Sequence, residues 1–168
     1  SCIAKNHGTG GRHLQGTYRG RVDLEQKGYK ITNDPLERST YFSTDGQVSI
    51  KANTRFSPAD PEQHVSMEAW ARIGGGENTT RVLISFGRFS LTLLKTNQWG
   101  FVSNVHKMDV IATDATSEQL DKTGEKFQLQ HLVGTCDGTN LRIYVNGDLK
   151  GNIDMVSAVA LQLKLHED

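Results

Sequence analysis

One short strand, fenced by two turns, constrains this chain more than anything else in it. Leu141-Arg142-Ile143-Tyr144-Val145 alternates apolar and polar residues between Asp137-Gly138 and Asn146-Gly147. Strict alternation marks a half-buried strand. Asp-Gly and Asn-Gly favour tight hairpin turns, because these residues tolerate positive φ. Strands joined by such turns pair antiparallel, so the chain commits itself to an antiparallel sheet.

The same signature recurs. Residues 47–52 alternate after Thr40-Tyr41-Phe42 and the turn signal Ser43-Thr44-Asp45-Gly46. Over residues 65–73, Val65, Met67, Ala69, Ala71 and Ile73 share one face, while Glu68, Trp70 and Arg72 share the other. Further strands are expected over residues 81–86, 88–94, 99–102, 107–111, 127–133 and 158–165. Pro58 and Pro61 exclude a ladder between them. Gly74-Gly75-Gly76 is a loop tip, and residues 113–126 read as a polar loop. Residues 1–20 are glycine-rich and read as a surface loop. They lack the Lys-Ser/Thr ending of a phosphate loop. About ten strands, spaced as in sandwiches and barrels and without a convincing helix, define an all-β chain. No repeat or linker interrupts it. One domain over residues 1–168 is expected, with residues 1–39 as its glycine-rich leading segment.

Charge removes several function classes. Lys+Arg is 19 and Asp+Glu is 19. Neutrality argues against a nucleic-acid partner, which calls for a basic excess, and against a polybasic membrane surface. No apolar run approaches the roughly 20 residues of a span, so no membrane insertion is expected. No signal-peptide h-region opens the chain, and a mature secreted protein would look the same. Two cysteines, Cys2 and Cys136, are too few for a disulfide scaffold or a four-thiolate zinc site. A single Cys2–Cys136 bridge and two unrelated thiols are the alternatives.

Val65-Ser66-Met67-Glu68-Ala69-Trp70 resembles the "F-T-I-E-A-W" strand of laminin-G-like domains in the concanavalin A-like lectin superfamily. Residues 130–147, from Gln130-His131-Leu132-Val133 through Asp137-Gly138 to Asn146-Gly147, are similar to "W-H-H-V-A-G-T-Y-D-G-T-N-L-R-L-Y-V-N-G", with Cys136 in place of the tyrosine. The likeness covers about residues 8–165. It implies a two-sheet antiparallel jelly-roll sandwich that binds rather than catalyses. It also implies an extracellular or secreted module, within a larger extracellular or multi-chain assembly. The first strand of such domains is missing or reduced to Ile3-Ala4, and no closing strand follows Leu165. An open sheet edge invites another strand. A partner strand or subunit is therefore expected to complete it.

The resemblance also suggests where a ligand would sit. Rim loops offer Asp45, Asp137 and Asn140 as binding candidates for a glycan or protein. Relatives hold calcium on such loops through hard oxygen ligands. Asp45, Asp137, Asn140 and Asp154 are the candidate ligands, and each also suits a turn that needs no metal. Glucanases share this fold and need paired carboxylates. Glu68 is the only carboxylate inside a well-defined strand, so a hydrolase is the weakest reading. A Glu–Trp pair on a sheet face could bind sugar, but Trp70 is expected to be core and Glu68 solvated. His131 is expected to be a half-buried structural histidine. No histidine or cysteine spacing suggests zinc. Asn78-Thr79-Thr80 is a glycosylation sequon at Asn78 on an expected loop tip. The expectation is a non-catalytic recognition module, with a structural subunit lacking a small ligand as its rival.

Overall fold

The computed structural model describes residues 3–4, 15–27, 38–43, 45–51, 64–72, 79–104, 108–116 and 129–155. All thirteen elements among them are strands: β1 (Ile3–Ala4), β2 (Gly16–Arg19), β3 (Val22–Lys27), β4 (Arg38–Phe42), β5 (Gln47–Ile50), β6 (Val65–Ala71), β7 (Arg81–Phe86), β8 (Phe89–Leu93), β9 (Gln98–Ser103), β10 (Met108–Thr116), β11 (Gln130–Cys136), β12 (Asn140–Val145) and β13 (Asp148–Asp154). Every pairing is antiparallel. The chain divides into two compact units, Ser1–Pro58 and Ala59–Asp168.

The first unit holds the sheet β1-β2-β5 and the pair β3-β4. The glycine-rich leading segment therefore contains strands where a loop was expected. Gly16, Tyr18, Val48 and Ile50 lie on one face of β2 and β5, and a Cβ on Gly16 would meet the Val48 side chain at 2.4 Å. The absent side chain lets the strand run beneath Val48. In β3, Glu25 adopts φ 56°, and the register with β4 shifts between Asp23 and Gln26. That irregularity breaks the alternation by which the strand would have been recognised.

The second unit is a sandwich of two four-stranded sheets, β10-β9-β8-β7 and β13-β12-β11-β6. β6 starts one sheet, β7 to β10 form the other as a meander, and β11 returns beside β6. This is the architecture that the turn-fenced strand and the alternation imply. Burial in β6, β11 and β12 alternates residue by residue. Met67, Leu132, Cys136, Leu141, Ile143 and Val145 point inward and meet Phe89, Leu91, Leu93, Trp99, Phe101 and Val110 from the facing sheet. Each fully buried Leu or Phe contributes about 1.5–3 kcal/mol. Trp99 Nε1 donates to Gln130 Oε1 at 2.5 Å, so the one large polar side chain buried among the described core residues is satisfied by its neighbour across the sheets.

Two further expectations change, and residues 148–154 form a strand that the sequence pattern does not announce, β13. Its register slips between Ile143 and Tyr144, which scrambles the polar–apolar order that would have revealed it. β10 runs on to Thr116, into the expected loop. Trp70 is not core: it keeps 49% of its surface exposed. It shares the outward face with Glu68, as strand parity requires, while Met67 and Ala71 take the inward positions. Ile3–Ala4 pairs with β2, so the reduced first strand is real. The strand expected over residues 158–165 and the closing edge beyond it lie outside the described residues. So do Cys2, Asn78 and the Gly74–Gly76 tip. Among the described residues no helix is long and apolar enough to cross a membrane.

Candidate functional site

The outward face of the β13-β12-β11-β6 sheet carries a group of polar and aromatic side chains, among them Glu68, Trp70, His131, Arg142 and Tyr144. Antiparallel register fixes who meets whom. Trp70 lies opposite His131, Glu68 opposite Val133, and Ser66 opposite Thr135. Val133 in turn faces Tyr144, and Tyr144 faces Leu149. One row thus crosses all four strands: Glu68, Val133, Tyr144, Leu149. A polar row, Ser66, Thr135, Arg142 and Asn152, runs alongside it.

Trp70 and His131 are stacked, with ring centroids 4.6 Å apart and planes inclined by 26°. The same imidazole reaches Glu68: Nε2 and Oε1 are 2.8 Å apart. His131 is half-buried, as expected, while Glu68 is 64% exposed. One histidine therefore supports the indole and anchors the carboxylate. Asn146 holds the histidine in turn. Its amide N–H donates to the His131 carbonyl at 2.8 Å, and its Oδ1 accepts the His131 N–H at 2.9 Å. This arrangement leaves an aromatic plane beside a hydrogen-bonding carboxylate on an open sheet face. An aromatic ring with a polar neighbour suits ligands that have one apolar side and one wet edge.

The rim candidates take other roles. Asp137 Oδ1 accepts from the Asn140 amide at 2.6 Å, the Thr139 hydroxyl at 2.9 Å and the Thr139 amide at 3.0 Å. Its Oδ2 pairs with Arg142 Nη1 at 2.5 Å. The Asn140 amide, the Thr139 groups and then Arg142 hold this carboxyl well below the usual carboxylate range. Asn140 opens β12 opposite Asp154, so Asp137, Asn140 and Asp154 sit at one end of the sheet. Both Asp137 oxygens are occupied, and a cation there would meet the Arg142 guanidinium. Asp45 lies in the other unit. Its Oδ1 accepts from Ser43 Oγ at 2.6 Å and from the Arg21 amide at 3.4 Å, and these bonds lower its pKa. Gly20, at φ +66°, lets the Asp45 carbonyl pass within 2.0 Å of where a Cβ would stand. Among the described residues no three His, Cys, Asp or Glu side chains form a group that could hold a metal.

Among the described residues, no second acid stands beside Glu68 on this face. The positions around it on this face carry Ser66, Trp70, His131, Val133 and Thr135, and none is an acid. A hydrolase needs its two carboxyls roughly 5–9.5 Å apart. Cys136 is buried, with a free thiol.

Against known proteins, a laminin-G family model, described as the concanavalin A-like lectin/glucanases superfamily, matches residues 42–164. Neither the curated proteins nor the solved structures gave a match.

Proposed function

Since the chain belongs to the concanavalin A-like lectin/glucanases superfamily, we propose that it is a non-catalytic recognition module. Its ligand is a glycan, bound on the outward face of the β13-β12-β11-β6 sheet. One observation carries the reading. Trp70 is half exposed, stacked on His131, and flanked by the Glu68 carboxylate that His131 holds. A large aromatic placed in water, with its support built beneath it, is not explained by core packing. The C–H face of a sugar covers the indole, and Glu68 accepts from its hydroxyls. Asp137 on the rim already accepts hydrogen bonds at both oxygens, which favours the sheet face for the ligand in this reading. Members of this family are mostly non-catalytic and typically extracellular. An extracellular setting accords with glycan binding.

A glycan array tests this. The wild-type chain binds one sugar class in a dose-dependent manner, and Trp70→Ala abolishes the binding while the melt stays cooperative. Full retention by Trp70→Ala would remove the reading. A second reading has its own support: Leu149 is 52% exposed and continues the row from Val133 and Tyr144, beside Arg142. Tyr, Trp and Arg around an apolar centre also suit a protein partner. Competition separates the two, because free sugar displaces a glycan and leaves a protein complex intact.

A further inference from the structure

We propose that this face carries a second subsite at Tyr144, so that it takes an oligosaccharide laid across the strands rather than a single terminal sugar. The proposal rests on the glycan reading above. Tyr144 and Trp70 stand on the same face of one sheet, on β12 and β6, with β11 between them. Register places Tyr144 opposite Val133, and Val133 opposite Glu68, two residues from Trp70. Strands lie about 4.8 Å apart, so two spacings and one step along the strand separate the two aromatics by roughly 10–12 Å. That gap exceeds what one sugar ring resting on the indole can cover.

The strip between the two aromatics is built for contact. Val133 is apolar and half-buried, so it neither repels the C–H faces of a glycan nor demands a partner. Glu68 closes one end of the same row and has an oxygen left over after binding His131. Leu149 continues the row beyond Tyr144. The described cations along the path have partners. Arg142, next to Tyr144 along β12, is paired with Asp137, and Lys150 is paired with Asp148 at 3.6 Å. Arg72, at the far side of Trp70, has a partner of its own.

The test is a length series. Soluble neutral oligosaccharides of the sugar class found on the array are titrated into the wild-type chain, Trp70→Ala, Tyr144→Ala and Tyr144→Phe. Wild-type affinity rises with chain length and then levels off. Tyr144→Ala keeps the affinity for the shortest ligand and loses about threefold to tenfold for the longer ones, the worth of one aromatic contact. Tyr144→Phe retains the gain, which separates ring stacking from the hydroxyl. Affinity independent of length, or equal loss for short and long ligands in Tyr144→Ala with an unchanged melt, overturns the second subsite and leaves the Trp70 reading standing. Binding that survives in Trp70→Ala, or no binding to any glycan, overturns both.

Discussion

Gly134 and Phe101 touch across the sandwich: a Cβ on Gly134 would come within 2.3 Å of the Phe101 ring. Phe101 is fully buried and stacks with Phe89 at 5.8 Å, so the ring has no room to retreat. Gly134→Ala is expected to destabilise the sandwich by about 1–3 kcal/mol, the usual cost of overpacking. Thermal melts read the loss. Gly134→Ala combined with Phe101→Leu should recover part of it, because contacting sites are not additive. An unchanged midpoint in the single variant would show that the sheets are looser than described.

The two tryptophans should behave oppositely. Trp99 is 1% exposed and bonded to Gln130. Trp99→Ala is expected to cost about 3–5 kcal/mol. Trp70 rests on His131 at the surface, and its removal should cost about 1 kcal/mol, the scale of one aromatic pair. Urea denaturation of both variants decides the matter. Equal losses would return Trp70 to the core.

Acid should weaken the Asp137 turn. Its carboxyl pKa is depressed in the folded state, first by the Asn140 amide and then by Thr139 and Arg142. A depressed folded pKa gives stability that is complete above the unfolded value, about 4, and is lost as the pH falls below it. Urea midpoints taken from pH 7 to pH 2 should therefore drop more steeply for the wild type than for Asp137→Asn. Parallel curves would mean that the turn does not depend on the charge.

Cys136 should be chemically silent in the native chain. Burial raises its thiol pKa; the Gly138 amide opposes this, and the Asp137 charge adds to it. Only the thiolate reacts. In a Cys2→Ser background, a disulfide reagent at pH 8 should label Cys136 only after urea is added. Fast labelling of the native protein would contradict its burial.

Alternation made most of the sandwich legible. Residues 65–71 and 141–145 announce their inward and outward faces without ambiguity, and the Asn146-Gly147 pair adopts the positive φ values that its composition promises, 53° and 88°. Where local geometry breaks the period, the reading fails, as at Glu25 in β3 and at the slip opposite Ile143 in β13. Trp70 shows two rules in conflict. Its size argued for the core and its parity for the surface, and parity prevailed because Met67 and Ala71 already claim the inward positions. The site itself depended on register. Nothing local says that Trp70 and Glu68 will both meet His131, since that follows only from β6 pairing with β11. At Asp137, residue type suited both a metal and a turn; the turn itself is visible only in the positions of the Thr139 and Asn140 amides.

Asn146 carries a consequence for how such a chain can drift over evolutionary time. The residue must accept a left-handed backbone and must also offer a carbonyl oxygen to His131, so its side chain stands in for one more rung of the β11–β12 ladder. Glycine meets the first demand and fails the second. Aspartate meets both but brings a charge. Branched residues fail the first, where left-handed backbone costs them most. Exchange at this position is therefore confined to a very small alphabet. A turn that passes for a mere connector thus fixes the histidine and, through it, the exposed indole.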